Sequence, residues 1–160
     1  MIVETDTKVL FWHADSVFSN WYPCKFEMRD IKFKNSEAAF MYLKAELFND
    51  EESMEKIRKN QDPAEVKKLG RLVKGFDESI WVDARENALF IANSNKYFQN
   101  RPLMEILKAT KEKILVEASP YDKIYGVGLK PDDPKALDEK NWLGLNIQGK
   151  TLMKVRSCID

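Results

Sequence analysis

The pattern of apolar and polar residues predicts a mainly helical chain with small β elements near its ends. Apolar residues recurring at helical spacing predict six helices. These are expected at about 36–48, 51–60, 63–70, 77 or 79 to 98, 102–111 and 150–159. Short strands are expected at 8–12 and 114–118, and a hairpin turning at Arg29-Asp30 is expected within 26–33. The pattern therefore predicts an α+β fold in a single domain, residues 1–160.

Polar residues mark the expected helix starts. Asn35 or Ser36 is suited to cap the first helix, and Asp62-Pro63 is suited to open the third. On the fifth helix, the residues expected to face inward are Leu103, Ile106 and Leu107. Residues 126–146 contain glycines and prolines without a regular pattern. Since long loops in compact domains commonly serve a site, we expect this loop to close over a ligand.

Composition excludes several function classes. The 26 basic and 26 acidic residues cancel, which argues against binding nucleic acid through bulk charge. Cys24 and Cys158 are far apart in sequence, and His13 is the single histidine, so neither a zinc site nor a histidine-based triad is expected. The sequence predicts no metal or other cofactor. With no secretory signal and no membrane-length apolar run, the chain is expected to be cytoplasmic, without a membrane partner.

Glu37 and Lys44 are the most informative charged pair. Seven residues of helix are two turns, so both side chains point the same way, about 10 Å apart along the axis. Phe40 and Met41 lie between them. Two interpretations are open: both charges are solvated beside an apolar face, or both are turned inward for a chemical purpose.

Other polar residues also have a structural and a functional interpretation. Asn20 can satisfy loop backbone, Arg71 can cap helix carbonyls, and Asp122 can form an Asx turn. Tyr125 and Trp142 are more often core residues than stacking platforms. Taken singly, each favours the structural interpretation.

Taken in order, these segments resemble the YbiA-like, or NADAR, superfamily over nearly the whole chain. The matching segments are Phe18-Ser19-Asn20-Trp21, Ser36-Glu37 through Phe40 to Lys44, Leu69-Gly70-Arg71, Trp81, Lys96-Tyr97-Phe98, Leu107 to Thr110, Leu115-Val116-Glu117, Asp122 to Gly126, Asn141 to Gly144 and Leu152 to Arg156. Two positions depart from the family pattern. Tyr125-Gly126 replaces Trp-Gly, and Ala38 replaces a common histidine.

The resemblance implies a YbiA-like fold and N-glycosidase activity at C1 of a phosphorylated ribose. The implied substrates are ADP-ribose on guanine in DNA or ribosylamino-pyrimidine intermediates of riboflavin synthesis. Partners would be a small-molecule or ADP-ribosyl substrate, including ADP-ribosylated DNA. The implied catalytic residues are Glu37, Lys44 and Asp122. The implied substrate-binding residues are Ser19, Asn20, Arg71, Trp81, Tyr125, Gly126, Asn141 and Gly144.

Chemistry supports these roles. Cleaving a ribosyl–nitrogen bond requires a proton for the leaving nitrogen, which a partly buried Glu37 can supply. A desolvated Lys44 would have a lowered pKa and could attack C1. Two other classes of function are alternatives to an enzyme. One is a non-catalytic module that binds ADP-ribose or another NAD derivative, and the other is a purely structural helical domain.

Overall fold

The computed structural model describes residues 1–160, and contacts within the chain group them into two compact units. The first unit consists of residues 1–22 and 102–160, and the second of residues 23–101. The chain has six α-helices and two small sheets. The predicted α+β class, mainly helical with small β elements, is confirmed. None of the helices is both long enough and apolar enough to cross a lipid bilayer.

A three-stranded sheet organises the first unit. Its strands are β1 Ile2–Glu4, β2 Lys8–Phe11 and β5 Ile114–Glu117, in the order β1-β2-β5. Strand β2 pairs antiparallel with β1 and parallel with β5, where Val9 lies opposite Leu115. The two predicted strands are therefore neighbours. The sequence predicts no strand at β1, because three residues are too few to show an alternating pattern.

Two helices and a long loop complete the first unit. The helices are α5 Arg101–Ala109 and α6 Ile147–Ser157, and Arg101 itself still belongs to the second unit. The loop between β5 and α6 contains short 3-10 turns at Pro134–Leu137 and Glu139–Asn141. The expectation that Ile106 faces inward is wrong, since its side chain is exposed. The buried stripe of α5 consists of Leu103 and Leu107, and Ile106 lies outside it, about 100° around the helix from Leu107.

Helix α6 begins at Ile147, earlier than the predicted start at residue 150. The preceding Asn146 has a left-handed backbone, with φ of 54°. Its side-chain amide donates to the Leu115 carbonyl (2.9 Å), and its side-chain oxygen accepts from the Glu117 N–H (2.9 Å). At Gly149 a Cβ would overlap the Leu115 carbonyl oxygen. These contacts fix the start of α6 against β5.

The loop 126–146 is anchored to a small core. That core consists of Leu10, Val116, Ala118, Val127 and Ala136. The Trp142 indole donates to the Ala136 carbonyl (2.8 Å), and the Leu143 N–H donates to the Val127 carbonyl (2.9 Å). The loop thus has its own internal support, and its closure over a ligand stays a prediction.

A hairpin opens the second unit. Strands β3 Phe26–Met28 and β4 Ile31–Phe33 pair antiparallel, which confirms the predicted hairpin. Arg29 and Asp30 form the turn with φ of 56° and 59°. Both values are left-handed, as tight hairpins require, although neither residue is the glycine usually found in such turns.

Four helices form the rest of the second unit. They are α1 Ser36–Leu47, α2 Glu51–Lys59, α3 Pro63–Arg71 and α4 Glu78–Phe98. Each begins after a polar residue whose side chain accepts a backbone N–H; these caps are Asn35, Asp50, Asp62 and Asp77. Helix α1 packs against the other three. The four predicted helices are confirmed, with Asn35 as the cap of the first.

Candidate active site

Helix α1 carries Glu37 and Lys44, and its surroundings turn both inward. The Asn35 side chain caps the helix by accepting from the Ala38 N–H (2.8 Å) and donates to the Gln61 carbonyl (2.8 Å). Because three helices pack around α1, Glu37 is only 8% exposed and Lys44 is half-buried. The Glu37 carboxylate is therefore turned inward and the Lys44 side chain is partly shielded, whereas a chemical purpose for the pair stays a prediction.

Helix α3 packs closely against α1 at Gly70. A Cβ at Gly70 would overlap the sulfur of Met41, a residue that lies between Glu37 and Lys44 on α1. Arg71 follows as the last residue of α3, and its side chain is exposed. An exposed guanidinium at this position can bind an anion through its planar fork.

Two aromatic rings flank the Lys44 amine. Its Nζ lies 4.7 Å from the centre of the Phe76 ring and 5.2 Å from that of the Trp81 ring. Trp81 is only 6% exposed and packs against Phe40, with ring centres 5.3 Å apart. Phe76 is 47% exposed. The sequence points to Trp81 but not to Phe76, because a single phenylalanine in a turn carries no pattern.

Burial changes the protonation of Lys44. Loss of water around the amine lowers the pKa of Lys44 below its usual value, and the nearby Glu37 charge opposes this change. The lowering from burial is the larger effect. A larger fraction of this amine is therefore neutral at a given pH than for a lysine in water, and only the neutral amine is a nucleophile.

Asp50 fixes the segment that carries Phe76. Its carboxylate caps α2 by accepting from the Ser53 N–H (3.1 Å) and also accepts from the Lys74 N–H (2.9 Å). The Ser53 hydroxyl and these N–H groups lower the pKa of Asp50. Gly75 follows with φ of 76°, a left-handed turn that leads into Phe76. The Phe76 ring then meets the Phe48 ring edge to face, with centres 5.5 Å apart.

In the first unit, Gln148 joins two of the predicted site segments. The Asn20 side chain donates to the Gln148 side-chain oxygen (3.0 Å), and Gln148 donates to the Phe18 carbonyl (3.0 Å). The backbone N–H of Gln148 donates to the Tyr125 carbonyl (3.0 Å). Gln148 is fully buried. Sequence reasoning missed it, since its partners are far away along the chain.

Ser19 and Asp122 both organise local turns. The Ser19 hydroxyl accepts from the Trp21 N–H (3.1 Å). One oxygen of the Asp122 carboxylate accepts from the N–H groups of Ile124 and Tyr125, each at 2.9 Å. The Asx turn considered from the sequence is therefore present at Asp122. This turn holds the carboxylate in place beside Tyr125, which is half-buried.

Gly126 and Gly144 allow close backbone approach. A Cβ at Gly144 would overlap the Gly126 carbonyl oxygen, and one at Gly126 would lie 2.9 Å from the Glu117 carbonyl oxygen. Packing alone therefore requires glycine at both positions. Asn141 ends the second 3-10 turn of the loop and is exposed.

The structure thus brings the predicted residues together in two groups, one in each unit. In the second unit the Lys44 amine lies beside the Phe76 and Trp81 rings and interacts with the Glu37 charge. Asn20, Asp122 and Tyr125 are connected in the first unit. The first group combines a buried acid with an amine of lowered pKa, and such a pair can exchange protons and attack an electrophilic carbon.

Comparison with known proteins gives a consistent result. Residues 10–160 match the model of the NADAR domain family. The chain is 38% identical to Protein irg-1 of Caenorhabditis elegans, covering 96% of this chain and 80% of that protein. It is 36% identical to N-glycosidase R617 of Acanthamoeba polyphaga mimivirus, covering 96% and 97%.

Two more distant similarities concern a larger protein and a solved structure. The chain is 29% identical to riboflavin biosynthesis protein VVA0006 of Vibrio vulnificus, covering 92% of this chain and 37% of that protein. The NMR structure of the Escherichia coli protein YbiA superposes with a TM-score of 0.78 at 26% identity. That match covers 98% of this chain and 86% of YbiA.

Proposed function

Because the chain belongs to the NADAR domain family, we propose that it hydrolyses the bond between C1 of a phosphorylated ribose and a nucleobase-type amine. The chain is a hydrolase of N-glycosyl bonds, the reaction class stated in the name of its mimiviral relative. The observation that supports the proposal most directly is the half-buried Lys44 amine, which lies beside two aromatic rings and interacts with the Glu37 charge.

The first half of the reaction transfers the ribose to Lys44. When the bond from C1 to the ring oxygen breaks, the exocyclic nitrogen forms an imine with C1 and gives up its proton, and the ring oxygen takes up a proton to become a hydroxyl. Lys44 passes its proton to the Glu37 carboxylate. The neutral Lys44 amine then adds to C1, and the Glu37 carboxylic acid protonates the departing nitrogen. The amine-bearing base leaves, and C1 remains joined to Lys44 as a Schiff base.

Water completes the second half. Its oxygen adds to C1 and its proton passes to the Glu37 carboxylate. Lys44 then leaves as an amine, and the released aldehyde closes again to the ribose ring. One water is consumed for each N-glycosyl bond. The lowered pKa of Lys44 supports this route, since the attacking amine must be neutral.

Further residues are assigned to substrate binding. Exposed Arg71 would bind phosphate through its guanidinium fork. Asp122, held by its turn, would orient ribose hydroxyls, and Tyr125 would stack on the base. Trp81 is assigned to the wall beside Lys44, because its ring is buried against Phe40. The remaining assigned contacts are Ser19, Asn20, Gly126, Asn141 and Gly144.

Two substrate classes share the required chemistry. ADP-ribose on guanine in DNA and ribosylamino-pyrimidine intermediates of riboflavin synthesis both present a phosphorylated ribose joined through C1 to an exocyclic amine. The Vibrio vulnificus relative is named for riboflavin biosynthesis. With no net charge, the chain would recognise DNA chiefly through the ADP-ribosyl group.

A product assay with both substrates tests the proposal. The protein is incubated with an oligonucleotide carrying ADP-ribosyl guanine and, separately, with a ribosylamino-pyrimidine 5′-phosphate. We expect free ADP-ribose or free ribose 5-phosphate, and the substrate that yields product identifies the class. Binding of ADP-ribose without release from either substrate would contradict the proposal and favour the binding-module alternative.

A further inference from the structure

Phe76 is the aromatic neighbour of Lys44 that the resemblance does not assign. We propose that Phe76 is a positioning residue, whose ring shields the Lys44 amine from water and holds it for attack on C1. This inference rests on the proposed function, in which Lys44 is the nucleophile. Phe76 itself need not touch the substrate, because it acts through the amine.

The contact between ring and amine supports this role. Nζ of Lys44 is nearer to the Phe76 ring centre (4.7 Å) than to the Trp81 ring centre (5.2 Å). Trp81 is 6% exposed and belongs to the core, whereas Phe76 is 47% exposed. Of the two rings, Phe76 therefore separates the amine from solvent, and removing its side chain would let water reach Nζ.

The backbone before Phe76 is built to hold the ring in place. The Asp50 carboxylate accepts the Lys74 N–H, and the left-handed Gly75 comes next. A Cβ at Gly75 would lie 3.4 Å from the Phe48 carbonyl oxygen, so the segment runs close to the end of α1. The Phe48 and Phe76 rings then meet edge to face, with ring centres 5.5 Å apart. The Phe76 ring itself contacts Phe48 and Lys44, and the two residues before it are held against α2 and the end of α1.

The ring has two opposing effects on the amine. It excludes water, which disfavours the ammonium form, and its negative face attracts the ammonium form. Burial is the main cause of the lowered pKa of Lys44. Of the charged groups on α1 and the helices packed against it, Glu37 acts on this amine, and it favours the ammonium form. Loss of the ring would reduce the burial of the amine, while Glu37 would still act on it. The pKa of Lys44 is therefore expected to rise in a Phe76 variant.

The experiment measures the Lys44 amine directly, without substrate. Lys44 is acetylated at a series of pH values in the full-length protein, and mass spectrometry follows the extent of modification. Three variants are compared: Phe76→Ala, Phe76→Leu and the control Phe98→Ala. Phe98 is 48% exposed, matching Phe76, and ends α4. Phe76→Leu keeps apolar cover if the alanine variant folds poorly.

We expect Phe76→Ala to move the labelling midpoint upward by about half a pH unit or more, with Phe76→Leu in between and Phe98→Ala unchanged. Turnover of Phe76→Ala at pH 7 should fall at least about threefold and recover at higher pH, because the neutral fraction changes tenfold per pH unit. A midpoint that stays or moves downward would overturn the inference. A raised midpoint in a protein whose wild type releases no product would instead support shielding by Phe76 and reject the proposed function.

Discussion

At the scale of single residues, the proposed reaction depends on where two protons reside. Glu37 must give one to the leaving nitrogen, and Lys44 must lose one before it attacks. Both side chains lie on α1, two turns apart, and Glu37 is almost fully buried. A short, capped helix thus holds an acid and a nucleophile at a fixed spacing, which favours their concerted use.

Glu37→Gln is expected to abolish hydrolysis while the fold remains intact. Glutamine keeps the volume of the side chain and removes its proton chemistry, so turnover should fall about 10²- to 10⁴-fold. Product release and a thermal melt would be measured together. Glu46→Gln is the matched control, since Glu46 is also on α1 but forms an exposed ion pair with Arg29 (3.2 Å). Near-normal turnover of Glu37→Gln would rule out its catalytic role.

Lys96 makes stability depend on pH. Burial lowers the pKa of Lys96 to about 8, with Cys24 opposing the change and the Tyr97 ring 5.0 Å from Nζ. The unfolded chain keeps this proton until about pH 10.5, whereas the folded chain loses it near pH 8. Between these values the unfolded state binds more protons, so the free energy of unfolding rises with pH.

The matched variant for this effect is Lys96→Met, which keeps an unbranched side chain without a charge. Cys24 and Tyr97 remain in both proteins. We expect the wild type to gain stability relative to Lys96→Met by up to about 1.4 kcal/mol per pH unit above pH 8. Urea denaturation at pH 7.5, 8.5 and 9.5 measures this difference. A constant difference across the series would show that Lys96 titrates normally.

At the scale of elements, Asp50 connects α2 to the segment before Phe76. We expect Asp50→Ala to cost about 2 kcal/mol, because it removes a helix cap and leaves the Lys74 N–H without its acceptor. Asp62→Ala, which removes the α3 cap bond to the Glu65 N–H, should cost less. Chemical denaturation of both variants provides the comparison. Equal costs would mean that the bond to Lys74 adds nothing.

The Asp50 contribution also has a predicted pH dependence. Its hydrogen bonds lower the pKa of Asp50 below the unfolded value of 3.8. Stability from this carboxylate is therefore fully present above about pH 5 and is lost as pH falls through the lower folded pKa. The difference between wild type and Asp50→Ala should shrink accordingly in acid.

Two helix glycines are expected to differ in their tolerance of alanine. At Gly149 the added Cβ overlaps the backbone carbonyl of Leu115, whereas at Gly70 it overlaps the flexible end of Met41. Alanine itself favours a helix by about 1 kcal/mol over glycine. Gly149→Ala should therefore be strongly destabilising, and Gly70→Ala only mildly so. Comparable thermal melts for the two variants would show that α6 can move away from β5.

At the scale of the whole molecule, the sequence predicts elements better than it predicts contacts. Helices α1 to α4 are predictable because their apolar residues recur at helical spacing, and α1 and α3 also have local start signals, such as Asp62-Pro63. The roles of Gln148 and Asn146 are missed because their bonds join residues distant in sequence. The burial of Glu37 could not be decided locally either, since it depends on the three helices that surround α1.

The central claim, that Lys44 forms a covalent bond with C1, is tested most directly by borohydride trapping. Wild type, Lys44→Arg and Lys44→Ala are mixed with each substrate and sodium borohydride, then digested and analysed by mass spectrometry. The account predicts a stable ribosyl adduct on the peptide containing Lys44 in the wild type and none in either variant. Product formation without an adduct, an adduct on another lysine, or full turnover by Lys44→Arg would contradict it.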